Sequence, residues 1–325
     1  MLEQWPKVTI CALSFNTGTY TELAIRSALA TNYPNLEIIC IDDGSSDSSS
    51  ELLSSLSEEL GFSFYKNATN LGIPETCNIG LKISTGEYFV LIGDDLMLPN
   101  RIHGDVKVLE LNPSMGFVSS VARVIDSTGE TLEGSTDWAG RLSDGPLKEN
   151  PRGVWLSGSK IFTPTATYRT SLLRKLGGWD NHFDVEDKPM FIKFASEGVS
   201  GWARNEVTTL YRRHDSNYSA KFRIRMFSQE LDLLKKFSIS ISTWQVALKF
   251  IVEAHYWMLF LRATPEQMSS ALTLAGLQSW AWTVRSHVLK VAFFLMSFAR
   301  RRRYVTRHSR FYFSKTERDL VEGVL

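Results

Sequence analysis

The stretch Glu87-Tyr-Phe-Val-Leu-Ile-Gly-Asp-Asp95 most constrains what this chain can fold into. A short apolar run stops on a glycine and two adjacent carboxylates. Aspartate is a poor strand residue, so a pair at the end of a buried strand asks for a cause. In an open α/β sheet, ligands gather at the carboxyl ends of the strands. Two hard oxygen donors there suit Mg²⁺ or Mn²⁺, an ion commonly shared with phosphate. A surface turn rich in Asp and Gly has the same local composition, so the choice falls to the rest of the chain.

The pattern of apolar run, polar stop and helix recurs along the first hundred residues. Residues 8–13, 36–41 and 62–65 predict strands before the one that ends at Asp94-Asp95, and residues 116–125 predict another. Helices are expected between them. One has Tyr20, Leu23, Ala24, Ser27 and Ala28 on one face, a second runs to Leu60 before Gly61, a third starts near Pro74, and Pro99 opens a fourth. Asp42-Asp-Gly-Ser-Ser-Asp47 both turns the chain and caps the second helix, with Asp43 read as a cap. Strands interleaved with helices imply an α/β fold with a mostly parallel, Rossmann-like sheet and right-handed crossovers. Residues 127–160, rich in Gly, Ser, Asp and Pro, predict a long loop over the site. No Gly-x-Gly-x-x-Gly follows the first strand and no P-loop occurs, which argues against dinucleotide-binding and P-loop classes.

At 325 residues the chain has room for a large α/β domain and an appendage. Charge marks the division. From Lys221 onward lie 17 of the 36 Lys and Arg but only 7 of the 35 Asp and Glu, about +10 against about −9 for the first 220 residues. We therefore expect a main α/β domain over 1–220 and a basic, helical extension over 221–325. Three cysteines, Cys11, Cys40 and Cys77, have no metal-ligand spacing, and their odd number argues against a disulfide framework. The start lacks the basic and apolar regions of a signal peptide. No stretch reaches the roughly 18 apolar residues of a membrane span. Together these predict a cytoplasmic protein.

Four polar clusters each follow an apolar run or open a helix: Ser14-Phe-Asn16, Asp42-Asp-Gly-Ser45, Asn70-Leu-Gly72 with Asn78-Ile-Gly80, and Gly93-Asp-Asp95. Their order and spacing resemble the family 2 glycosyltransferases of the glycosyltransferase-A fold, of the bacterial surface-polysaccharide type. Gly177-Gly-Trp-Asp180 is similar to that family's Gly-Gly-Phe-Asp turn. The segment from Val185-Glu-Asp187 to Gly198 is similar to its Glu-Asp helix, and Tyr211-Arg-Arg-His214 to its final Tyr-Arg-x-His segment. The resemblance spans residues 8–220.

The resemblance implies inverting, metal-dependent transfer from a nucleotide-sugar to a hydroxyl of a glycan or lipid-linked saccharide. Ser14, Asn16, Asn70, Gly72 and Asn78 would line the donor site. Asp42 would accept from the ring N–H of uracil or thymine, pointing to a UDP- or dTDP-sugar. Asp94 would face the ribose or donor sugar. Asp95, with His214, would hold Mn²⁺ or Mg²⁺ against the diphosphate. Asp187 would take the acceptor proton as general base; a helix first-turn acid, like Glu186 and Asp184, has the same sequence signature. Two departures stand out. Ile92 and Gly93 replace the first two residues of the common Asp-Ser-Asp-Asp. Cys77 replaces an arginine that usually precedes the position of Asn78, leaving Arg101 or Arg212 to supply any phosphate contact.

Two rival readings remain. A sugar-nucleotide nucleotidyltransferase needs a Gly-rich basic loop after the first strand, whereas residues 15–19 hold one glycine and no basic residue. A non-catalytic scaffold would have no use for Asp95, Asp187 and His214. In the extension, apolar residues 288–298 run into Arg300-Arg-Arg-Arg303, which suits an anionic membrane surface, or packing on the domain or a second subunit as a homo-oligomer contact. No nucleic-acid reader motif is present.

Overall fold

The computed structural model describes residues 4–131, 143–214 and 223–241. The chain divides into two compact units, residues 1–132 with 137–212, and residues 133–136 with 213–325.

The first unit is a nine-stranded mixed sheet with helices packed on it. The sequence pattern is realised in order: β1 (Val8–Ser14), α1 (Gly18–Leu29), β2 (Leu36–Asp42), α2 (Ser49–Leu60), β3 (Ser63–Lys66), α3 (Ile73–Ile83) and β4 (Tyr88–Ile92). These form the parallel part of the sheet, ordered β3-β2-β1-β4. Strands β1 and β4 are apolar nearly throughout because both faces are covered. Their side chains Val8, Ile10, Tyr88 and Val90 join Ala24, Ile25 and Leu53 in one core.

Beyond β4 the pairing changes. β5 (Leu96–Met97), α4 (Arg101–Leu111), β6 (Phe117–Ile125), β7 (Gly145–Leu147), α5 (Pro151–Ser157), β8 (Thr167–Arg169), α6 (Thr170–Lys175), α7 (Asp187–Ser196) and β9 (Gly201–Arg212) follow. β8 enters antiparallel between β4 and β6, β9 lies parallel to β6, and β5 and β7 pair antiparallel with β9.

Three sequence expectations shift. The buried face of α1 is Gly18, Thr21, Ala24, Ile25 and Ala28, while Leu23 is 43% exposed. The small residues face inward because α1 lies close against α2: a Cβ on Gly18 would stand 2.8 Å from Ser49 Cα. Within the expected loop of 127–160 the chain instead forms β7 and α5. The helix is capped by Asn150, whose Oδ1 accepts from Gly153 N–H at 2.8 Å, and it opens with Pro151. Asp43 does not cap α2; its N-cap is Ser48, and Asp47 just before it accepts from Ser49 N–H at 2.9 Å. In the second unit, α8 (Arg223–Lys236) is described.

Candidate active site

The strand order reverses between β1 and β4, since β2 and β3 lie on one side of β1 and β4 on the other. A crevice at the carboxyl ends of two such strands is where α/β sheets bind ligands. β1 ends at Ser14, β2 at Asp42, and Asp94-Asp95 follows β4 by a single glycine, so the three clusters share one edge.

Ser14 pairs with Asp42 across the β1–β2 ladder, and its carbonyl accepts from Asp43 N–H at 2.8 Å. Its hydroxyl is buried with no hydrogen-bond partner. Asn16 adopts φ 55°, a left-handed conformation that asparagine tolerates. Its N–H donates to Ser45 Oγ and its Oδ1 accepts from Ser46 N–H, at 2.8 and 2.9 Å. Asp42 is fully buried, and its carboxylate accepts from both N–H and Oγ of Ser45. A base would therefore reach Asp42 only where Ser45 Oγ turns aside. Asp43 accepts from Asn67 Nδ2 at 2.8 Å and from the N–H groups of Leu71 and Gly72 at 2.9 Å each, fixing the loop before α3. Gly44 (φ 72°) lets that loop close, since a Cβ there would lie 2.6 Å from the Thr69 carbonyl carbon. Asn70 in the same loop is exposed.

Asp95 Oδ1 accepts from Arg212 N–H at 2.8 Å, and the Asp94 carbonyl accepts from Arg212 Nε at 3.0 Å. Asp95 keeps some surface but is closely surrounded. Burial raises its carboxyl to about 7 and the Asp94 charge adds to this, while the Arg212 N–H and the charges of Arg101 and Arg212 pull it down. Arg101 is sealed away from any phosphate, donating to the carbonyls of Pro164 and Ala166 at 2.6 and 3.0 Å. Among the described residues no group of three or more His, Cys, Asp or Glu gathers to hold a metal. The two carboxylates still fit Mg²⁺ or Mn²⁺, which take few protein ligands and lean on phosphate and water. The pressure on Asp95 to take up a proton is equally a pressure to take up a cation. His214 lies two residues past β9, in the second unit.

Asp187 is the first residue of α7, and its carboxylate accepts from Lys188 N–H. Phe194 stacks on Phe117, anchoring α7 to the sheet. Burial, then the neighbouring Asp187 charge, pushes the Glu186 carboxyl up to about 8. Glu186 acts electrostatically on Tyr168 of β8 and is adjacent to Thr163. β8 runs antiparallel to β4, so Thr163, just before it, lies towards the β4 edge that carries Asp94-Asp95.

Asn78 is held by a distant turn. Its amide bonds the backbone of Trp179 at both ends. Sequence reading passed over Phe15, an aromatic 45% exposed between Ser14 and Asn16. An apolar ring inside a polar strand-end turn was the available signal.

The fold and this edge of carboxylates define an α/β protein of the glycosyltransferase-A class, and solved structures agree. TarS of S. aureus, solved with UDP-GlcNAc, superposes with TM-score 0.59 at 16% identity over 82% of this chain and 79% of that one. The mannosyltransferase PcManGT from Pyrobaculum calidifontis, solved with GDP-Man and Mn²⁺, gives 0.57 at 18% identity over 95% and 85%. The profile of "Glycosyl transferase family 2" matches residues 9–177, just over half the chain, so the protein belongs to that family. An uncharacterized glycosyltransferase of Haemophilus influenzae is 31% identical over 46% of this chain and 47% of its own length. The putative glycosyltransferase EpsE of Bacillus subtilis is 27% identical over 70% and 79%. A Rickettsia typhi relative is 38% identical over 32% of each chain, so this chain spans less than half the length of that curated relative and of the Haemophilus influenzae one.

Proposed function

We propose that this chain transfers a sugar from a nucleotide-sugar to a hydroxyl with inversion, Asp187 acting as the base. The observation that carries the reading is the shared edge of Ser14, Asp42 and Asp94-Asp95 at the strand-order reversal, with an uncommitted buried hydroxyl on Ser14. The nucleoside diphosphate would lie along that edge, with the Phe15 ring available to a base. Asp42 favours a uracil or thymine N–H, and Asn16, Asn70 and Gly72 would frame the pocket. Asp94 would meet the ribose or sugar. Asp95 would hold Mn²⁺ or Mg²⁺, which when bound neutralises charge gathering on the departing diphosphate, and His214 is proposed as a metal ligand from the sequence resemblance alone. Asp187 would take the proton of the acceptor hydroxyl as it attacks opposite the diphosphate. The acceptor is proposed to be a glycan or lipid-linked saccharide, reached at the inner membrane surface by the basic extension.

A thermal-shift panel of UDP-, dTDP-, GDP- and CDP-sugars and a CMP-sugar, each with and without Mn²⁺, tests this. Ligands that bind the native state alone raise its stability by mass action. A Mn²⁺-dependent shift with one uridine or thymidine donor supports the reading. No shift with any donor would favour a scaffold that retains the fold.

A further inference from the structure

Helix α3 joins the donor-side loop to the segment that carries Asp187. At its start, the Asp43 carboxylate holds Leu71 and Gly72. In its middle, Asn78 Nδ2 donates to the Trp179 carbonyl at 2.8 Å and Asn78 Oδ1 accepts from Trp179 N–H at 2.8 Å. Both ends of the amide are thus engaged with one residue 101 positions away. Gly178 has φ 70°, and a Cβ there would stand 2.3 Å from Asn78 Oδ1, so no other residue fits beside this amide.

The turn of residues 177–181 is gripped on its other sides too. Asn181 Nδ2 donates to Glu75 Oε2 of α3 at 3.1 Å. The Trp179 ring packs on Phe89 of β4, centroids 5.9 Å apart. Lys193 Nζ, on α7, donates to the Gly178 carbonyl at 3.1 Å. This turn therefore sets where the chain enters α7, whose first residue is Asp187.

We infer that Asn78 is a positioning residue for Asp187, acting through the Trp179 turn and touching no part of the nucleotide-sugar. The inference rests on Asp187 being the base. It assigns to catalysis a side chain that the motif pattern alone places in the donor site.

A double-mutant cycle on the full chain tests it. UDP-GlcNAc and GDP-mannose with Mn²⁺ serve as donor probes. Calorimetry reads binding, and release of UDP or GDP with water as acceptor reads turnover. Asn78→Ala should bind the donor within about twofold of wild type yet turn over about tenfold or more slower, as a small misplacement of a reacting group does. Asn78→Ala combined with Asp187→Asn should be no slower than Asp187→Asn alone, because the two changes act at one point. A loss of packing unconnected to the base would instead multiply. Gly178→Ala should reproduce the split, and Asn78→Asp, which keeps the acceptor for Trp179 N–H, should fall between. These two variants carry the same cycle if Asn78→Ala does not fold. A roughly tenfold loss of donor affinity with normal turnover at saturation, or multiplying losses in the cycle, overturns the inference. Normal turnover in Asp187→Asn overturns both the base and this inference. An inactive Asp187→Asn beside a fully active Asn78→Ala overturns this inference alone.

Discussion

The backbone N–H of Arg212 donates to Asp95 Oδ1 at 2.8 Å across 117 residues of sequence. The same residue sends Nε to the Asp94 carbonyl and Nη1 to the carbonyls of Asp126 and Ser127, at 3.0, 3.3 and 3.2 Å. Its guanidinium lies over the Tyr20 ring, 5.0 Å from the centroid, and only 2% of the residue is exposed. One cation thus ties the end of β9 to the Asp94-Asp95 turn, the end of β6 and α1. This makes Arg212 a brace for the carboxylate pair.

Arg212→Ala keeps the backbone N–H but strands three carbonyls. Hydrogen bonds from a charged group contribute about 1.5–3 kcal/mol each, and their effects overlap, so urea unfolding should show a loss of about 2–4 kcal/mol. Arg212→Lys should not restore it, because one ammonium cannot reproduce the planar fork. Full stability in the lysine variant would show that the fork is dispensable.

The carboxylates predict a pH dependence of stability. Asp95 rises from 3.8 to about 7 and Glu186 from 4.5 to about 8 on folding. Between those limits the native state holds more protons than the unfolded chain, so the stability these two groups contribute is complete below about pH 4 and is lost as pH rises through both folded values. Metal-free melting temperature should drop from about pH 5 to about pH 9, and less steeply in Asp95→Asn. If Asp95 holds Mn²⁺ as proposed, metal and proton compete there, so stabilisation by Mn²⁺ should be larger at about pH 8 than at about pH 6. Equal Mn²⁺ shifts at both pH values would remove Asp95 from the metal role.

The strand and helix order through β4 was legible because each parallel βα unit carries its own apolar period and its own stop. β7 and β8 were not, since strands of three residues are too short to show alternation, and β5 is shorter still. Their partners on β9 and β4 lie far away in sequence, where no local pattern points to them. In the site, Asp95 and Asp187 stood out as acids at element ends. The hold of Asn78 on Trp179 did not, because the residue type and helical spacing of an amide say nothing of a partner 101 positions away.

The basic extension carries a prediction of its own. Residues 285–325 lie outside the described residues, and among the described residues no helix is long and apolar enough to cross a membrane. If residues 288–298 and the following arginines meet an anionic surface, deleting 285–325 should abolish sedimentation with phosphatidylserine vesicles. Binding to these vesicles should also weaken with salt, since juxtamembrane basic residues contribute about 1 kcal/mol each and are screened within a Debye length. Unchanged sedimentation after the deletion rules the surface out.

Glu186 and Asp187 are adjacent acids with opposite expected tasks. Burial and the Asp187 charge keep the Glu186 carboxyl protonated up to about pH 8, so at neutral pH glutamine imitates it closely. Glu186→Gln should retain most of the turnover near pH 7. A base that takes a proton in the transition state contributes about 10²–10⁴-fold, so Asp187→Asn should lose turnover on that scale while keeping nucleotide-sugar affinity. Both substitutions turn a carboxyl into an amide at the same helix start, but only Asp187→Asn removes a carboxylate ionised at neutral pH. Steady-state rates with donor binding measured in parallel decide the matter: equal losses in both variants would mean that the pair acts as one unit and that Asp187 alone is not the base.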